Sequence, residues 1–341
     1  MNKRLKKRNC YVIALIVLIL FGSACSRDGR KPSWEADVSG ISIEKMEIQR
    51  FEEVLFNVNP STLEGSLEPY FEKFSFFIEG SMGNSEAIES LYNFVTDPEI
   101  RELFIDTGKR WDDTDAITEP LAHTFRFHRY HFPDIELPEV YTYISGIDYM
   151  MPIIYTGDKL VIGLDNFLGS DYALYDRLGI PRYLSRWMRP ERLNVEVMLA
   201  FADARLSEYA PMPETLLDHI IYHGKRQYFL DNMLPRTHDT LKIAYTATNL
   251  EWMRHFEGYA WTYKLDNDLL YTSDHRIINQ FTGEAPFTSA FGRDSAPRTG
   301  VWLGWQIVRE YMRRNPEVDL QKLLSEGDSR KILAGARYRP R

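Results

Sequence analysis

The hydrophobic pattern of this chain changes period twice, and that order narrows its possible folds more than any other feature. From Ser61 to Phe132, LEPYFEKFSFFIEG, AIESLYNFVTD, PEIRELFIDTGKRW and ITEPLAHTFRFHRYHF carry apolar residues at three- and four-residue spacing, broken by Gly, Pro or Asp. That spacing predicts helices. VYTYISGID and MPIIYTGDKLVIGLDNFLG are instead rich in β-branched and aromatic residues, with Thr156, Gly157 and Asp158 between Ile154 and Leu160, so two strands joined by a tight turn are expected. Beyond Gly169 helical spacing returns and persists through RLNVEVMLAFADARL, HIIYHGKRQYFLDNMLP, TNLEWMRHFEGYAWTYKL and TGVWLGWQIVREYMRR. Helices, a small sheet, then helices specify an α+β fold, mainly helical. Val38, Ile41 and Ile43 alternate and predict a strand before a short helix within 38–60. The pattern divides the body into a mostly helical region, 38–135, and an α+β region, 136–341, packed as one unit.

The first residues belong to a different problem. MNKRLKKRNCYVIALIVLILFGSACS places five basic residues before an apolar run from Tyr11 to Phe21, then small residues up to Cys25. The run is shorter than the roughly 20 residues that cross a hydrocarbon core, so residues 1–24 read as a lipoprotein signal peptide with Cys25 as the lipid-bearing first residue. Such signals prefer leucine where this chain has Gly22. Residues 25–37 then form the lipidated cysteine and a short polar tether. Two or more acyl chains at Cys25 would hold the protein stably on a membrane, outside the cytoplasm, on an inner or outer membrane alike. Cleavage removes Cys10, which leaves no pair for a disulfide. It also removes five positive charges, taking the formal charge from −8 to −13. A chain so acidic has no electrostatic reason to bind nucleic acid.

His219 and His223 lie four apart, so on a helix they share a face. With eight histidines in the chain, about 0.2 such pairs arise by chance, and the pair alone says little. Glu257 adds weight. Thr248 and Glu251 have capping-box spacing, and on the helix that follows Leu250, Met253, Phe256, Ala260 and Trp261 form an apolar stripe with Glu257 in its middle. A carboxylate there needs a partner. Two histidines on one helix and a glutamate on a later one are the ligand set of His₂Glu zinc peptidases. Those enzymes keep a glutamate after the first histidine as general base; here Ile220 stands in its place and Asp218 projects the wrong way. Three readings stay open: a degenerate zincin-like (gluzincin-type) scaffold without zinc, a non-catalytic metal site, and unrelated histidines.

Taken together, YISGID, KLVIGLDNFLG, IIYHGKRQYFLDNMLP, EGYAW followed by LLYTSD, APFT, SAPRTGVWLGWQIVREYM and a closing RYRP resemble the gliding-motility lipoprotein GldB family of Bacteroidota, which is similar to predicted zincin-type metallopeptidases. The resemblance covers most of the mature chain. It implies a lipid-anchored component of gliding machinery, linked to type IX secretion, with other envelope proteins as partners. It also implies no catalytic residues, no required cofactor, and at most a vestigial metal site at His219, His223 and Glu257. The rival reading is a zinc metallopeptidase, or a periplasmic metal-binding module, on those same residues.

Other features have plainer readings. His123, His128 and His131 lack a carboxylate or cysteine to complete a metal set and suit a structural helix end. Ser273, Asp274 and His275 are adjacent and cannot align as a triad, so they are expected in a loop. Gly224, Gly300 and Gly304 suit close helix packing. RWMRPER is a basic cluster in an acidic chain; a solvated face is its default, and it is also where a partner contact would be sought.

Overall fold

The computed structural model describes residues 36–340; the leader, Cys25 and most of the tether lie outside them. Four strands, β1 (Ile48–Arg50), β2 (Glu139–Tyr143), β3 (Ile153–Tyr155) and β4 (Lys159–Gly163), form one sheet in the order β1-β2-β4-β3. β1, β2 and β4 run parallel, and β3 pairs antiparallel with β4. The turn between β3 and β4 is the one the sequence predicts. Thr156 N donates to Lys159 O at 3.0 Å, and Gly157 takes a φ of 97° that a side chain would resist.

Alternation along β2 and β4 decides the layering, because successive side chains on a strand face opposite ways. Val140, Leu160 and Ile162 enter one core, whereas Tyr141 and Val161 enter another. The strands are thus apolar on both faces, as parallel strands covered on two sides must be. One face is covered by α1 (Phe51–Leu55), α2 (Phe71–Ile78), α3 (Ser85–Thr96) and α4 (Pro98–Arg110), which supply Phe51, Phe74, Ile78, Val95 and Leu103. Asn84 and Asp97 cap α3 and α4, and Pro98 takes the first position of α4, where its missing N–H costs nothing.

The other face is covered by α5 (Asp115–His131), α6 (Pro190–Tyr209) and the helices that follow. These are α7 (Leu216–Met233), α8 (Asp239–Ile243), α9 (Ala247–Asp266), α10 (His275–Thr282), α11 (Thr299–Arg314), α12 (Leu320–Ser325) and α13 (Ser329–Ala336). The expected α+β class, mostly helical with a small sheet, is what the chain adopts. Both cores belong to one compact unit, 33–341, which therefore carries what it needs to fold by itself. Among the described residues, no helix is long and apolar enough to cross a membrane.

Two packing details position everything else. α7 and α11 cross at backbone contact: a Cβ at Gly304 would run into the Ile220 carbonyl oxygen, and one at Gly224 into the backbone of Gly304. The glycines predicted to serve close packing do so. At the sheet's N-terminal edge, Glu52 is buried, bonded to Arg50 Nε at 2.7 Å and to Thr142 Oγ1 at 2.9 Å. Burial raises its carboxyl above the ordinary range, opposed by Arg50 and Thr142.

Several local expectations shift. The first strand forms at Ile48–Arg50, while Ile41 and Ile43 pack against the core without pairing. α7 starts at Leu216, because Thr215 and Asp218 close a reciprocal capping box. On α9 the capping pair is Thr246 with Asn249, not Thr248 with Glu251. Phe256 leaves the apolar stripe and is 37% exposed. His275 opens α10 under an Asp274 cap, so only Ser273 and Asp274 lie in a loop.

Candidate functional site

The histidine helix is the natural place to start. Ile220 is fully buried in the α7–α11 crossing, so the position a zinc peptidase gives to its general base points into packed helix here. His219 and His223 lie half-buried beside it. Burial pushes His223 well below its ordinary value, helped by the Arg226 and Arg298 charges; burial lowers His219 too, partly opposed by Asp218. Both rings are therefore neutral at neutral pH, the form that ligates metals.

A third donor is what the pair lacks. Glu257 has a partner, as its place on the stripe requires, but the partners are Trp302 Nε1 at 2.8 Å and Tyr338 Oη at 2.7 Å. Asp218 accepts from the Thr215 backbone and hydroxyl. Among the described residues, no three His, Cys, Asp or Glu side chains are grouped closely enough to hold a metal. The structure thus does not gather His219, His223 and Glu257 into a donor set.

What α7 does assemble lies at its other end. Asp231, 3% exposed, accepts from Trp305 Nε1 at 2.8 Å, Arg309 Nε at 2.7 Å and Lys242 Nζ at 2.9 Å. Arg309 also forks onto both Asp239 oxygens at 3.0 Å and stacks 3.8 Å from the Trp305 ring. This network ties α7, α8 and α11 together. The available signal was Asp231 itself, a carboxylate on α7 among Tyr228, Phe229, Leu230 and Met233.

A cleft forms beyond the carboxyl ends of the parallel strands, where open α/β sheets also place their ligand sites. One lobe has a volume of about 470 Å³ and is lined by Tyr149, Phe167, Trp187 and Arg192 among others; an adjoining lobe of about 590 Å³ shares Tyr183, Trp187, Ala244, Glu284 and Arg298. Next to the lining residues Asn166 and Phe167, Asp165 is fully buried just after β4. The Asp165 carboxylate accepts from Ser145 Oγ at 2.9 Å and from the Ser145 and Ile147 amides at 3.0 and 2.6 Å, holding Gly146 and Ile147 at φ of 72° and 63°. Burial raises its carboxyl, and those donors oppose the rise.

Two arginines close the cleft wall. Arg192 and Arg298 donate to carbonyls at the end of α8: Arg192 to Leu241 O and Lys242 O, Arg298 to Ile243 O. Cations at a helix C-terminus satisfy its orphan carbonyls. Arg192 also pairs with Glu196, and Arg298 with Glu284, both at 2.7 Å. RWMRPER is therefore not a uniformly solvated face: Arg192 is 4% exposed, while Arg186 stands open to solvent. Asn166 and Phe167 of KLVIGLDNFLG, Ala285 and Pro286 of APFT, and Ser295, Pro297 and Arg298 of SAPRTG all line this cleft. Segments far apart in sequence thus meet at one place.

His123, His128 and His131 all lie on α5, the last two in its final turn. His128 is buried between Phe132 and Phe201, with no hydrogen bond to either ring nitrogen. Burial brings it to about 3, and His131 to about 4.

The fold and the site define a helix-rich α+β protein with an arginine- and aromatic-lined cleft at the carboxyl ends of its parallel strands. More particularly, the chain belongs to the family of gliding motility protein GldB, whose model matches residues 31–340. No curated protein and no solved structure matches it.

Proposed function

We propose that the chain is a lipid-anchored, extracytoplasmic component of the envelope machinery of gliding motility, and that its folded unit binds other envelope proteins without catalysing a reaction. The family match over residues 31–340 carries this reading. Two placements support its non-catalytic half: Ile220 is sealed in a helix crossing, and Glu257 is engaged by Trp302 and Tyr338. On this reading a zincin-like frame is retained as scaffold, with no resident cofactor. Its partners belong to the type IX secretion-associated machinery and meet it at the cleft, and Cys25 supplies the membrane attachment.

Cys25→Ala tests the anchor in cells: the protein should move to the soluble fraction and fail to restore gliding to a deletion strain. An unchanged membrane fraction would sink the anchor. Elemental analysis of purified 33–341 tests the rest. Stoichiometric zinc, lost on His219→Ala or Glu257→Ala, would overturn the metal-free scaffold.

A further inference from the structure

A cavity of about 610 Å³ that shares no lining residue with the cleft opens beside the last residues of the chain's fold, lined by Trp261, Leu265, Arg314, Leu333, Arg337 and Arg339 among others. Among the described residues, no carboxylate lines it. Tyr338 explains the placement of its basic rim. Its hydroxyl is bonded to Glu257 at 2.7 Å and its ring meets Trp261 edge-on at 5.4 Å, which turns Tyr338 inward. Arg337, held left-handed at φ 47°, and Arg339 flank it and are exposed. Arg314 pairs with Glu310 at 2.6 Å; Arg337 and Arg339 have no carboxylate partner among the described residues. The floor is apolar, with Leu265 45% exposed. In a chain of net charge −8, this is a local reversal of charge set against apolar surface.

We propose that this cavity binds a phosphate-bearing amphiphile, the headgroup end of an anionic phospholipid, with Arg337 and Arg339 on the phosphate and the start of an acyl chain along Leu265 and Trp261. Guanidinium forks match phosphate oxygens in geometry and charge. The apolar floor is what separates this ligand from free phosphate, which shares its charged chemistry. An acidic overall surface weakens general attraction to anionic membranes, so the contact is local and falls with ionic strength.

Titration calorimetry of the 33–341 unit tests this with dihexanoyl phosphatidylglycerol kept below its micellar concentration, dihexanoyl phosphatidylcholine, and inorganic phosphate. Phosphatidylglycerol should bind, at least about tenfold more weakly to Arg337→Glu/Arg339→Glu and equally well to the control Arg186→Glu. Leu265→Asn should weaken the lipid and leave any phosphate binding unchanged. Arg186, Leu265, Arg337 and Arg339 are all exposed, and unaltered melting curves would show the variants folded. Equal binding of phosphatidylglycerol to the double variant, or equal binding of phosphatidylcholine to the unaltered protein, would overturn the proposal. Inorganic phosphate binding as tightly as the lipid would overturn the amphiphile. A glutamate-rich peptide that binds where the lipid does not would reassign the rim to a protein partner.

Discussion

α7 carries two sets of polar residues, and its two ends treat them differently. Near its start, His219 and His223 share a face at metal-ligand spacing but receive no third donor among the described residues, while Ile220 between them is consumed by the crossing with α11. Near its end, Asp231 has no suggestive spacing at all, yet it gathers Trp305, Arg309 and Lys242 from two other helices. Spacing along one helix shows which side chains face the same way. Only packing shows what they face.

The sharpest way to break this contrast is to pry the crossing open. Gly304→Val drives methyl groups into the Ile220 carbonyl, and a loss of more than about 4 kcal/mol in denaturant unfolding is expected, enough to abolish folding. Asp231→Ala should cost about 3 to 5 kcal/mol, because it strands Arg309 and Lys242 in buried surroundings. Glu257→Ala removes two hydrogen bonds from a half-buried carboxylate, for which about 1 to 3 kcal/mol is expected by the same measurement. His219→Ala and His223→Ala should each stay within about 1 kcal/mol; a larger loss than for Asp231 would reverse the comparison.

The buried His128 sharpens it through pH. Its folded value of about 3 lies below the ordinary 6.5, so the unfolded chain takes up a proton that the fold refuses. Its contribution is fully present above pH 6.5 and is lost as pH falls towards 3. His131, at about 4, acts in the same direction. His128→Leu should flatten the dependence of Tm on pH between about 6.5 and 3, with little cost at pH 7.5, since an unpartnered ring is replaced by an apolar one.

Much of this architecture was legible beforehand. The change of period located the hairpin at Thr156 to Asp158, and Gly224, Gly300 and Gly304 announced close packing because little else explains glycine inside a helix. The place of Glu257 on its helix requires a partner, but which partner depends on Tyr338, from a segment too short to carry a period. The cleft stayed hidden for a related reason. Arg192 and Arg298 are 106 positions apart in the numbering, and they meet only because both cap the end of α8. The basic run around Trp187 hinted at that wall, without showing that its last arginine turns inward.

β1 also gives the protein a mechanical character. Tension along the backbone ahead of Ile48 would first load the packing of Val38, Ile41 and Ile43, and then a strand paired in parallel with β2 through Ile48, Gln49 and Arg50. If a load were to leave beyond the carboxyl ends of β2 and β4, it would run along the strands and across their hydrogen bonds. The pairing is then sheared as a set and not unzipped one bond at a time. Glu52, bound to Arg50 on one side and Thr142 on the other, ties β1 to β2 just past the last pair, so the two strands would resist such a shear together.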